Sequence, residues 1–99
     1  PSGEYYVKRV AAVAGDTVDI REGKVFINGT EENASYVLGE TVGENAAVVY
    51  PYTVEEGHIF VLGDNRPESV DSRYYGSFNV SQVTGVLKLR MGFFYLNGL

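Results

Sequence analysis

The chain has no cysteine and a single histidine among its 99 residues. The first absence removes disulfides and thiolate metal sites, so stability must come from packing and hydrogen bonding. The second leaves carboxylates to supply most of any zinc shell, and no metal or cofactor is expected. Positive charge is scarce as well: 8 Lys and Arg stand against 13 Asp and Glu, for a net charge of -5. Phosphate binding needs clustered cations, so this balance argues against nucleic acid as a partner and offers no attraction to anionic lipid. No run approaches the roughly 20 apolar residues of a spanning helix. The start, Pro1-Ser2-Gly3-Glu4, has no basic-then-apolar signal pattern. The residues given read as soluble, and the lack of an initiator Met fits an excerpt or a processed product. No stretch carries a capped helical period, and no internal repeat is visible.

What the chain does have is β-forming sequence. It is 44% hydrophobic with 12 Gly and 8 Tyr, a composition of folded domains, and its length suits a single domain, 1–99, or part of one. Tyr5 to Val13 reads as a strand ended by the turn Gly15-Asp16, with Lys8 beside Tyr6 and Val10 at period two. Thr17 to Arg21 and Lys24 to Asn28 flank Glu22-Gly23, a two-residue hairpin connection. The acidic stretch 30–43 lacks periodicity and reads as a loop or a weakly ordered excursion, tolerant of insertion. Ala46 to Tyr50 and His58 to Leu62 are further apolar strands, and the second feeds Gly63. Ser77 to Thr84 suits a turn or short helical piece, and Gly85 to Leu96 a last strand. The fold class expected is all-β, built of several small antiparallel sheets.

Chemistry concentrates in two places, Tyr6-Val7-Lys8-Arg9 and Gly63-Asp64-Asn65-Arg66-Pro67-Glu68-Ser69-Val70-Asp71-Ser72-Arg73. A lysine of ordinary pKa, about 10.4, is almost wholly protonated at neutral pH and useless as a base. Burial among apolar neighbours would disfavour its ammonium. Taken alone, Lys8-Arg9 is a solvated pair on a strand edge. In the second segment Gly63 permits close approach of another group, while Asp64 and Asn65 suit a tight turn. If Ser69 to Arg73 runs extended, Ser69, Asp71 and Arg73 share one face and an Asp71–Arg73 pair can brace Ser69. The plainer alternative is a surface salt bridge worth at most about 1 kcal/mol. His58 has no nucleophile motif near it, and Glu31-Glu32 and Glu55-Glu56 read as solvated loop charges.

The two segments together resemble the type I signal peptidases, in which a strand bearing Tyr-Val/Ile-Lys-Arg leads to a Gly-Asp turn and is followed later by Gly-Asp-Asn-Arg, then Ser, one residue, and Asp-Ser-Arg. The likeness covers Tyr6 to Asp16, the hairpin through Asn28, and Val61 to Gly85. Ala12 and Ala14 stand where Gly and Pro are frequent, and Pro67-Glu68 replaces a pair whose second member is often Asn. The resemblance implies a LexA/signal peptidase-like fold of small coiled sheets, of which this chain is the C-terminal part of the extracytoplasmic catalytic domain. It implies a Ser-Lys dyad with Lys8 as general base and Ser69 orienting its amine. Gly63, Asp64, Asn65, Arg66, Asp71 and Arg73 become supporting residues, and Tyr5, Tyr6 and Val7 line the path of an extended signal peptide.

The family's nucleophilic serine lies several dozen residues before the lysine, in a Ser-Met-x-Pro-like segment after a membrane anchor. Ser2 lacks that setting, so nucleophile and anchor are expected upstream, and the 99 residues alone are expected to be inactive. The resemblance places the parent at the extracytoplasmic face of a bacterial plasma membrane, with preprotein signal peptides as partners. Two alternatives compete. One is a non-catalytic accessory protein holding secreted or pilin substrates, against which the presence of both Lys8 and Ser69 counts, since holding alone needs neither. The other is a self-cleaving repressor of the related fold, for which no DNA-binding segment is present. The apolar end, Phe93 to Leu96, suits either a membrane surface or burial in the remainder of the fold.

Overall fold

A computed structural model describes residues 5–43, 48–85 and 93–97, with backbone alone for 5–7, 34, 82–85 and 93–97. Nine strands fall into two antiparallel sheets among these residues. Strand β1 (Tyr5–Val13) turns at Gly15 into β2 (Thr17–Arg21), which pairs with β3 (Lys24–Ile27) across Glu22-Gly23. Both turn residues have positive φ, 54° at Glu22 and 77° at Gly23, the twist that matches a two-residue hairpin. β4 (Thr30–Glu31) and β5 (Tyr52–Thr53) complete this sheet in the order β4-β3-β2-β5. The larger sheet adds β6 (His58–Leu62), β7 (Phe78–Asn79), β8 (Val83–Gly85) and β9 (Phe93–Asn97), in the order β7-β6-β1-β9-β8.

β6 explains why the molecule has two apolar clusters. Phe60 and Leu62 face the small sheet, where they meet Ala12, Val18, Val25, Val48 and Val54. Ile59 and Val61 point the other way, onto Phe78 and Val10. A strand covered on both faces reads as an unbroken apolar run, as His58 to Leu62 does. β1 meets β6 through a register shift between Val10 and Ala12. The shift lets Val10 lie with Val61 while Ala12 enters the cluster of Phe60, so β1 serves both faces.

Three expectations need correction. Val48 and Tyr50 belong to no strand, and residues 46 and 47 lie outside the described residues. Val48 is buried and Val49 exposed, so the alternation reports burial, but among the described residues no strand pairs with 48–50, and Pro51 lacks an N–H to join a ladder. Ser69 to Arg73 does not run extended: a four-residue helix, α1 (Ser72–Tyr75), begins at an Asp71 cap. Four residues are too few to show a helical period. The last strand is split, with β8 ending at Gly85, β9 starting at Phe93, and residues 86–92 outside the described set. The backbone of the apolar end lies inside the larger sheet, between β1 and β8. The turn expected in 77–84 is there, as a 3-10 turn over Val80–Gln82.

Candidate active site

β1 and β6 bring the two chemical segments together. Arg9 stands opposite Leu62, and one step further along the same register come Lys8 and Gly63. Lys8 shares its face with Val10 at period two. Opposite it, glycine leaves a gap where a side chain would stand. Ser69 fills that gap: a Cβ built on Gly63 would meet Ser69 Oγ and lie 2.6 Å from Ser69 Cβ and 3.6 Å from Lys8 Nζ. The result is a Lys8 Nζ donating to Ser69 Oγ at 3.0 Å, between groups 61 residues apart in sequence. Lys8 is only 9% exposed. Burial lowers the pKa of its amine from the ordinary lysine value; the Asp71 carboxylate opposes that shift and the Arg73 guanidinium adds to it.

Ser69 arrives on a tight turn whose N–H bonds close onto Asn65. The Asn65 carbonyl accepts from Glu68 N at 3.1 Å and Ser69 N at 3.0 Å. Asn65 contributes through this backbone oxygen, its side chain being exposed. Asp71 then makes three kinds of contact. Its Oδ1 caps α1 by accepting from Arg73 N at 3.1 Å, it pairs with Arg73 Nε at 2.9 Å, and its Oδ2 accepts from Gly63 N at 3.0 Å. Asp71 and Arg73 are almost fully buried, at 0% and 3% exposed, so the surface-salt-bridge alternative fails. Burial pushes the Asp71 carboxyl upward, but hydrogen bonds from Arg73 and Gly63 and the charge of Arg73 outweigh it and hold the group below the usual carboxylate range. Arg73 also reaches the carbonyls of Arg66 and Ser69, which ties α1 to the turn.

A second set of contacts comes from the stretch 30–43. Arg66 is 1% exposed; its Nε donates to the Gly63 carbonyl at 2.7 Å and its Nη1 to Thr41 Oγ1 at 2.9 Å. The same guanidinium pairs with both carboxylate oxygens of Glu32. Arg9 and Asp64 form a two-pronged pair at 2.9 and 3.0 Å, and the Arg9 guanidinium lies 3.6 Å over the Tyr36 ring. Leu38 makes a parallel bridge to Asn65. Most of the stretch is a loop, as expected, but these contacts fix it in place, which corrects the alternative of a weakly ordered excursion and the reading of Glu32 as a solvated charge. Glu31, by contrast, stays exposed with a 3.8 Å contact to Lys24. Glu55 is exposed but bonded to Tyr52 and Ser77. Sequence gave no means of separating Glu32 from Glu31, because the partner of Glu32 lies 34 residues away. Tyr5, Tyr6 and Val7 are held at backbone level by pairing with Asn97, Leu96 and Tyr95 of β9.

An amine of lowered pKa beside a hydroxyl and a buried ion pair can accept a proton from a third group brought to it. The family model described as signal peptidase, peptidase S26, matches residues 1–92. The chain belongs to that family. A thylakoidal processing peptidase 1 of Arabidopsis thaliana is 36% identical over 84 residues, covering 85% of this chain and 24% of the plant protein. A signal peptidase I P of Bacillus subtilis subsp. natto is 38% identical over 88 residues, covering 82% of this chain and 47% of that protein. The crystal structure of a signal peptidase I from Enterococcus faecalis V583 superimposes with a TM-score of 0.62 at 36% identity, over 81% of this chain and 80% of the other. The chain thus spans about a quarter to a half of the curated relatives it matches. Its all-β fold is that of the signal peptidase family.

Proposed function

We propose that the protein is a type I signal peptidase, a serine endopeptidase that removes N-terminal signal peptides from secreted preproteins, and that these residues carry the lysine half of its Ser-Lys dyad. The neutral Lys8 amine takes the proton of a serine hydroxyl supplied from upstream in the parent protein as that oxygen attacks the scissile carbonyl. The lysine then returns the proton to the leaving amine, and afterwards helps a water attack the acyl-enzyme. Ser69 accepts an N–H of the amine and so turns the lone pair toward the nucleophile. Asp71 and Arg73 hold Ser69 and Gly63 in place. The hydrogen bond between Lys8 and Ser69 across Gly63 carries this reading.

The substrate path runs along Tyr5, Tyr6 and Val7. β9 takes one edge of this stretch, whereas β6 pairs with β1 only from Arg9 onward. Among the described strands the other edge of Tyr5 to Val7 has no partner, and an extended signal peptide with small residues at its cleavage site can add there. The site works at the extracytoplasmic face of the bacterial plasma membrane, held by an N-terminal anchor of the parent. Among the described residues no helix is long and apolar enough to cross a membrane.

The test is Lys8→Ala in the full-length protein, assayed on a preprotein. General-base contributions of about 10²- to 10⁴-fold are usual, so cleavage is expected to fall by at least about 10²-fold while the far-ultraviolet spectrum and cooperative melting persist. Cleavage at the wild-type rate would remove the reading.

A further inference from the structure

The peptide of Gly63 is fixed at both ends by buried charge. Its N–H donates to Asp71 Oδ2 at 3.0 Å, and its carbonyl accepts from Arg66 Nε at 2.7 Å. The first clamp belongs to the Asp71–Arg73 pair. The second reaches back into the stretch 30–43, where Glu32 and Thr41 hold the far side of the guanidinium. We propose that Glu32 is a positioning residue of the site: paired with Arg66, it keeps the guanidinium on the Gly63 carbonyl and so fixes the peptide against which Lys8 and Ser69 are seated. The inference rests on the reading of Lys8 as general base.

Three observations support the assignment. Glu32 and Arg66 meet through two contacts, with side-chain exposures of 10% and 0%, so the pair is shielded from solvent and from salt. The backbone is laced in the same direction, Leu38 N donating to Asp64 O at 2.8 Å and Arg66 N to Leu38 O at 2.9 Å. Gly39, at φ +78°, lies so close to Pro67 that a Cβ there would come within 2.5 Å of the proline ring, so stretch and turn are fitted to one another. The chemical consequence concerns the Gly63 carbonyl. Arg66 Nε occupies that carbonyl; once released, the carbonyl is a free acceptor on the residue against which Lys8 and Ser69 are seated, and an acceptor that reaches the amine favours the lysine ammonium over the neutral base. Among the described residues the charged groups whose fields act on the amine are Asp71 and Arg73, and a substitution at Glu32 changes the charge of neither.

The experiment uses the full-length protein and a preprotein or signal-peptide substrate. Glu32→Gln keeps the size of the side chain and removes its charge. Displacing a catalytic constellation by about 1 Å costs on the order of 100-fold; kcat is expected to fall about 10- to 100-fold with KM little changed, and the acidic limb of the pH–rate profile is expected to move to higher pH. A merely structural role would lower the melting temperature and leave that limb in place in the folded protein, which would overturn the proposal. Glu31→Gln, the same charge change on an exposed neighbour, is expected to leave kcat and the limb unmoved. Should Glu32→Gln fail to fold, the limb is read in Glu32→Asp and Thr41→Val, where a shift supports the assignment and none overturns it. Lys8→Ala separates the two readings. If it abolishes cleavage while Glu32 variants keep wild-type kcat and limb, the base reading stands and the Glu32 assignment falls. If Lys8→Ala cleaves normally, the base reading itself falls.

Discussion

At the scale of single residues, the buried carboxylate of Asp71 serves three purposes at once. It caps α1, neutralises Arg73 and holds the Gly63 amide. Removing one partner of a buried pair strands the other charge, which costs about 3–5 kcal/mol. Asp71→Ala is therefore expected to destabilise the protein by about that amount and to lower cleavage as well, both checked in one preparation by chemical denaturation and substrate assay. The pH dependence has a definite sign. A carboxyl held below its usual value contributes stability that is present above the ordinary carboxylate range and lost as pH falls through the folded-state value. Wild-type and variant stabilities should converge toward strong acid; parallel curves down to low pH would show that Asp71 is not the group responsible.

At the scale of elements, the hairpin of β2 and β3 carries one strained position. Glu22 occupies φ 54°, a left-handed conformation that costs most L-residues roughly 1–2 kcal/mol but is tolerated by Asn. Glu22→Asn is expected to stabilise the fold by up to about 1 kcal/mol, measured as a rise in denaturation midpoint at unchanged slope. This turn was legible because Gly23 marks it and the flanking runs alternate. β6 was legible because four successive apolar residues, Ile59 to Leu62, face two clusters. Residues 48–50 misled because alternation records which side chains are buried and says nothing of whether a neighbouring backbone lies within bonding distance. The start of α1 was hidden for another reason. An Asp three residues before Tyr74 can cap a helix or sit in a strand, and only the helical backbone seen here decides between them. The gap at Gly63 could be inferred from its residue type, whereas the Glu32–Arg66 pair joins distant segments and leaves no local trace.

At the scale of the whole molecule, the buried amine is a cost that the remaining packing must offset. Between the lowered folded-state value of Lys8 and the ordinary lysine range, the unfolded chain binds a proton that the folded chain does not. Wild-type stability therefore rises with pH through that window, and the penalty is greatest below it. Lys8→Met, of similar length and without charge, is expected to raise the melting temperature at neutral pH, with the gain shrinking as pH approaches the ordinary lysine range. A gain independent of pH would assign the effect to packing alone. The two clusters on either side of β6 supply the compensating burial, and the stretch 30–43 adds the buried Thr41 and the paired Glu32.

The separation of Lys8 from Ser69 by 61 positions bears on the history of each newly made molecule. Until β6 has closed on β1, the amine is an ordinary hydrated cation that Ser69 has not yet reached. On the reading of Lys8 as general base, reactivity is acquired with tertiary assembly, and partial unfolding that parts these two strands is expected to extinguish it and to uncover the β2–β3 hairpin, whose Val18 and Val25 pack against Phe60 and Leu62 of β6.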